Sequence, residues 1–204
     1  MNNTINIAVV GLGQVGIYLL NELNTKKKEI ELKTGKKINV VAVSAKNINK
    51  KRQFKVNKKI FFKNPLEIFN KKKVDILFEA IGLSDGISKK VVESALKKKI
   101  HVITPNKALI SKHGNELAKI AELNNVNLEF EASVAGGIPI LRSIKEGLAT
   151  NKISKVYGIL NGTSNYILSE MENSNQSFSD VLKKAQKLGY AEPGNPKLDL
   201  NGFD

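Results

Sequence analysis

Short apolar runs of strand length alternate along this chain with longer stretches whose apolar residues recur every three or four positions. Residues 5–10, 38–43, 74–81, 100–103 and 127–132 are the strand-length runs. The first four are nearly continuous rather than alternating, the pattern of strands covered on both faces. Between them, residues 14–24, 88–99 and 116–124 carry helical periodicity, and a short helix is expected within residues 61–70 after Pro65. In the helix over 14–24 the spacing puts Val15, Leu19, Leu20 and Leu23 on one apolar face. Residues 26–37 are charged and end in a turn signal, Thr34-Gly35-Lys36-Lys37. Regular alternation of strands and helices predicts an α/β fold, a Rossmann-type doubly wound parallel sheet.

The pattern changes near Ser133-Val134-Ala135-Gly136-Gly137-Ile138-Pro139, which closes the first domain. The expected division is 1–138 for the dinucleotide-type domain and 139–204 for the start of an α+β substrate and catalytic domain. In the second part the pattern predicts helices over 140–149, 166–171 and 178–188 and a strand over 155–160. Ser177 is suited to cap the last helix and Gly189 to stop it. One strand and two helices after residue 150 cannot bury their own faces. The expectation is therefore an N-terminal portion of a longer protein.

The first strand runs into Gly11-Leu12-Gly13-Gln14-Val15-Gly16, a G-x-G-x-x-G spacing with a helix directly behind it. In that context Gly11 makes the turn, Gly13 lets a pyrophosphate approach the backbone, and Gly16 lets the helix pack closely. Helix N-terminal N–H groups and the helix dipole favour the anion. At the end of the second strand stand Ser44, Ala45, Lys46 and Asn47, followed by Lys50, Lys51 and Arg52. A carboxylate there would favour NAD. None is present, so Ser44, Lys46 and Arg52 point to the 2′-phosphate of NADP, with NAD as the alternative. Ile81 and Gly82 end another strand and are candidates to line the cofactor, as is the segment with Pro105, Asn106 and Lys107.

Composition narrows this picture. The chain has no cysteine, which excludes disulfides, thiolate metal sites and a thiol to trap an acyl group. Alcohol–carbonyl exchange suits it better. The formal net charge is +14, but the lysines fall in scattered short clusters without interleaved aromatics. A lysine-rich solvated surface is favoured over specific nucleic-acid binding. No apolar run approaches the roughly 20 residues of a membrane span, and the reading is a cytoplasmic protein. Neither His101 nor His113 lies in a metal-site pattern.

Five segments together resemble homoserine dehydrogenase: residues 11–16 with their strand, 104–109, 130–140, 158–168 and 185–204. The resemblance implies NAD(P)-dependent interconversion of L-homoserine and L-aspartate 4-semialdehyde, in threonine, methionine and isoleucine biosynthesis. It implies that Lys107 is catalytic and that a second lysine follows four residues past the position of Asp204. Glu192 and Asp204 would hold the substrate ammonium, and Asp199 the alcohol end or the catalytic lysine. Gly162 and Thr163 would touch substrate and Gly189 the cofactor. Glu131, Val134, Gly136 and Ile138 would ligate a structural monovalent cation, sodium or potassium. Ala135 stands where that family commonly has glycine. A homodimer is implied for the full-length protein. Two other readings stay open: a different NAD(P)-dependent oxidoreductase, and a cofactor-binding module without turnover.

Overall fold

A computed structural model describes residues 3–52, 56–191 and 200. The chain divides into two compact units, Met1–Ser133 and Val134–Asp204.

The first unit is built on a six-stranded parallel sheet in the order β3-β2-β1-β4-β5-β6. Its strands are β1 (Thr4–Val10), β2 (Lys37–Ser44), β3 (Phe61–Phe62), β4 (Ile76–Glu79), β5 (His101–Ile103) and β6 (Leu128–Glu129). Strand residues alternate between faces. In β1, Ala8 and Val10 join one core with Ala42, Leu77 and Val102, packed under Val91, Val92, Ala95, Leu96, Leu109 and Leu117. Ile7 and Val9 face the other way and join Val43 with Leu12, Ile17 and Leu20. Apolar side chains on both faces explain why the strands read as unbroken runs. Burying each such side chain contributes about 2 kcal/mol.

Helices α1 (Gln14–Thr25), α2 (Lys27–Thr34), α3 (Ile68–Lys71), α4 (Ile87–Lys97) and α5 (Lys107–Leu123) complete this unit. The buried positions of α1 are Gly16, Ile17 and Leu20, while Val15 is 52% exposed. Leu19, Leu20 and Leu23 thus pack into the core as expected, and of the four only Val15 falls outside it. Gly16 must lie under the turn, and Ile17 and Leu20 follow on its side. Helix α2 forms within the charged stretch read as turn-bound. A Lys33–Glu29 pair one turn apart supports it, and Gly35 closes it in the left-handed region at φ 66°. Helix α5 begins nine residues before the expected start, because the Asn106 side chain accepts from the Leu109 N–H and caps it. The expected strand over 127–132 shortens to Leu128–Glu129, and Glu131–Ser133 turns into a 3-10 helix.

In the second unit, α6 (Ile140–Arg142) runs into a π-helical turn, Ser143–Gly147. Helices α7 (Gly162–Ser174) and α8 (Phe178–Leu188) pack around Ile167, Val181, Ala185 and Ala191. The ends of α8 are as expected: Ser177 accepts from the Asp180 N–H and Gly189 turns at φ 82°. An ion pair between Lys184 and Glu170 joins the two helices. Residues 155–160 do not form the expected strand. Val156, Tyr157, Ile159 and Leu160 are all more than half exposed. A strand needs a neighbour to take its N–H and C=O groups, and no strand is present in this unit among the described residues.

Candidate functional site

The strand order reverses direction between β1 and β4, and the crevice beyond their carboxyl ends is where open parallel sheets bind ligands. A cavity of about 440 Å³ lies there. Its walls include Gly11, Leu12 and Gly13 from the turn after β1, Ser44, Lys46, Lys50 and Arg52 from the loop after β2, and Ile81 from the loop after β4.

Gly11 and Gly16 take the turn and packing roles expected of them. Gly11 sits at φ 95°, and a Cβ on it would lie 2.2 Å from the Ala80 carbonyl oxygen. A Cβ on Gly16 would lie 1.9 Å from the Gly11 carbonyl oxygen, so Gly16 supports the turn from beneath. Around Gly13 a Cβ would meet nothing within 4 Å, which leaves the backbone open to a ligand. Gly13 is also the N-cap of α1 and offers no side-chain cap, so the first-turn N–H groups are left for an anion. These residues fit the pyrophosphate of a dinucleotide. Gln14 and Val15 instead line an adjoining groove of about 790 Å³ on the outer side of α1, with Tyr18 and Asn21.

Arg52 is more constrained than its position in a basic run suggested. Its Nε donates to the Leu12 carbonyl at 3.2 Å. Its two terminal nitrogens donate to the carbonyls of Ile48, Lys50 and Asn47 at 3.2, 3.0 and 2.7 Å. Of five N–H groups, four therefore fold the basic loop against the glycine turn. Lys46 and Lys50 on that loop are exposed and line the cavity. Lys63, which sequence reasoning missed, faces the same cavity from the segment after β3. No carboxylate lines it among the described residues.

Across the crevice, Glu79 at the end of β4 is fully buried. One carboxylate oxygen accepts the Ile81 N–H at 2.8 Å. The other accepts the Thr104 hydroxyl at 2.6 Å and a longer contact from the Asn106 amide at 3.4 Å. Asn106 also donates to the Leu83 carbonyl at 2.9 Å while capping α5, whose first residue is the half-buried Lys107. The Asn106 side chain is thus engaged with Glu79, Leu83 and the first turn of α5. Pro105 and Lys107 do not line the cavity. The signal for this network was legible in principle. Glu79 stands between apolar residues near the end of its strand-length run, with Thr104 and Asn106 at the next strand's end.

Farther along α5, Asp85 accepts from Lys112 at 2.7 Å and lies 3.0 Å from His113. The hydrogen bond from Lys112, with those from Ser84 and His113, holds the Asp85 carboxyl well below the usual carboxylate range. The loop after β4 is thereby tied to α5 at two points, Leu83 and Asp85.

The other expected positions fall elsewhere. Glu192, Asp199 and Asp204 lie outside the described residues. Gly162 opens α7 and Gly189 ends α8, both in the second unit. The Thr163 hydroxyl is buried and donates to the Tyr190 carbonyl at 2.5 Å within the second unit. Tyr190 in turn stacks on Tyr166 at 4.6 Å between ring centroids. Glu131 has one buried carboxylate oxygen without a hydrogen-bond partner among the described residues. Val134, Gly136 and Ile138 belong to the second unit, where Ala135 adopts φ 49°, which accounts for glycine being suited to that position.

A parallel sheet in this order, with a glycine turn at its reversal point and a basic loop beside it, defines a dinucleotide-binding domain. Comparison with known proteins carries this further. Residues 11–131 match the family model "Homoserine dehydrogenase, NAD binding domain", and residues 139–204 match the model "Homoserine dehydrogenase". The chain belongs to the homoserine dehydrogenase family. It is 43% identical over 98% of its length to homoserine dehydrogenase of Neisseria gonorrhoeae and 38% identical to that of Pseudomonas aeruginosa. The crystal structure of a homoserine dehydrogenase from Thiobacillus denitrificans is similar over 97% of the chain, with TM-score 0.82 and 40% identity. The chain spans about 45% of the length of these relatives.

Proposed function

We propose that the full-length protein interconverts L-homoserine and L-aspartate 4-semialdehyde, and that this chain supplies its nicotinamide cofactor site and Lys107. The observation that carries the reading is the crevice between β1 and β4, walled by the open backbone of Gly13 and, at Leu83, hydrogen-bonded to Asn106 at the start of the helix that begins at Lys107. The bound cofactor supplies hydride transfer. The turn at residues 11–13 and the first N–H groups of α1 hold its pyrophosphate. Lys46, Lys50 and Lys63, with no carboxylate opposing them among the described residues, favour NADP over NAD. Lys107, the half-buried first residue of α5, holds the substrate oxygen and moves its proton, chemistry suited to a lysine ammonium.

The substrate's ammonium requires carboxylates, and Glu192 and Asp204 are proposed for it, with Asp199 oriented to the alcohol end. A structural monovalent cation is proposed for the segment 131–138, supported by its sequence and by the unpaired buried oxygen of Glu131. Homodimerisation, a cytoplasmic location and a place in threonine, methionine and isoleucine biosynthesis follow from the family reading. Among the described residues no helix is long and apolar enough to cross a membrane.

The test is turnover by the full-length enzyme. With L-homoserine and NADP or NAD, reduced cofactor accumulates and the aldehyde product is trapped. A protein that binds the cofactor yet reduces neither form with homoserine overturns the proposal.

A further inference from the structure

We infer that Glu79 is a positioning residue for the reaction: through Thr104 and Asn106 it fixes the start of α5, and so Lys107, against the loop that lines the cofactor cavity. The inference rests on Lys107 being the proton-transferring group. It concerns a side chain that touches neither cavity nor substrate.

The geometry is a three-way tie. Glu79 is fully buried, and three groups donate to it: the Ile81 N–H at 2.8 Å, the Thr104 hydroxyl at 2.6 Å and the Asn106 amide at 3.4 Å. An acceptor-only carboxylate matches this set of donors. Ile81 and Leu83 line the cavity, whereas Thr104 and Asn106 lead directly into Lys107. The Asn106 N–H donates back to the Thr104 hydroxyl at 3.1 Å, and the Asn106 side chain bonds both Leu83 and the Leu109 N–H. One buried group thus sets the relative position of two surfaces that a hydride and a proton transfer must share. Small misplacements of that kind weigh heavily on rate because reacting atoms must meet near van der Waals contact.

There is also an electrostatic side. Lys107 is the first residue of α5, where the helix dipole disfavours a cation. A buried carboxylate beside the same helix start offsets that field. A neutral side chain of equal shape would not, and its amide would set donor against donor at Asn106.

The experiment uses the full-length enzyme with four variants: Glu79→Gln, Thr104→Val, Thr104→Ser and Lys107→Ala. Each is measured for NADPH affinity, melting temperature, kcat and KM. The expected result is that Glu79→Gln and Thr104→Val lower kcat by about 10- to 100-fold, while the cofactor Kd and the homoserine KM stay within about threefold. Thr104→Ser, which keeps the hydroxyl, retains kcat within about threefold of the parent. If Glu79→Gln does not fold, the Thr104 pair decides alone, since valine and serine differ in the hydrogen bond to Glu79. Unchanged kcat in Thr104→Val, with Lys107→Ala inactive, overturns the inference and leaves the proposed function standing. So does a loss confined to cofactor affinity or melting temperature. Full turnover by Lys107→Ala overturns the role given to Lys107 and this inference with it, while the homoserine reaction itself stands.

Discussion

The two units solve the same problem to different degrees. In the first, helices cover both faces of one sheet, and alternate residues of β1 feed separate cores. In the second, α7 and α8 cover each other through a small cluster around Ile167, while the apolar residues between 156 and 160 remain exposed. The lesson is that helix pairs close locally, whereas a strand is finished only by its neighbours. The first unit brings its neighbours within its own sequence. The segment 155–160 has the composition of a strand and no partner in its unit among the described residues.

The comparison breaks first at the glycine turn. Gly16→Ala places a methyl 1.9 Å from a backbone oxygen that cannot move without dismantling the turn. A loss of at least about 3 kcal/mol is expected, read as collapse of the first unit's melting transition with α7 and α8 still helical by circular dichroism. Melting of both units together would show that they are not separable.

Next comes the contrast between a finished and an unfinished strand. Leu77→Ala, at a fully buried position, is expected to cost about 2–5 kcal/mol in denaturant unfolding. Ile159→Ser, at a position 77% exposed, is expected to stay within about 0.5 kcal/mol in this 204-residue chain. In the full-length protein the same serine substitution should cost more than about 1 kcal/mol, if residues 155–160 pair with a strand there. Equal small losses in both would end the reading of this segment as a strand.

Which features were legible follows the same division. Local signals read correctly: Ser177 and Gly189 bracket α8 as their side-chain chemistry dictates. The turn at Gly11 and the close packing at Gly16 also read correctly, since each needs a missing Cβ at a fixed spacing. The start of α5 did not, because Thr104-Pro105-Asn106 looks like loop and Gly114 interrupts the helix pattern. Only the bond from Leu109 to Asn106 shows that a cap was present. Arg52 reads as a phosphate ligand, and its clamp on four loop carbonyls was not legible. Such bonds depend on where a loop folds back, which residue type and spacing do not encode.

Two smaller effects sharpen the account at single residues. Ala135 holds a left-handed backbone at φ 49°, so Ala135→Gly should raise stability by up to about 1 kcal/mol in thermal unfolding of the second unit. A clear loss would mean the turn is not strained by its Cβ. Asp85, whose carboxyl is held low by Lys112, Ser84 and His113, contributes stability that is present above the ordinary aspartate value of about 4. That contribution fades as pH falls below it. The stability gap between parent and Asp85→Asn should therefore be constant near neutrality and close on acidification. A gap that widens on acidification would reverse the assignment.

The central claim is that the crevice between β1 and β4 binds a nicotinamide dinucleotide and prefers the 2′-phosphate. Calorimetric titration of NADPH and NADH into this chain tests it most directly. Saturable one-site heat is expected for both, with NADPH tighter by about tenfold, the worth of one charge-assisted hydrogen bond. No heat with either cofactor would contradict the claim, and tighter NADH would contradict the role given to Lys46, Lys50 and Lys63.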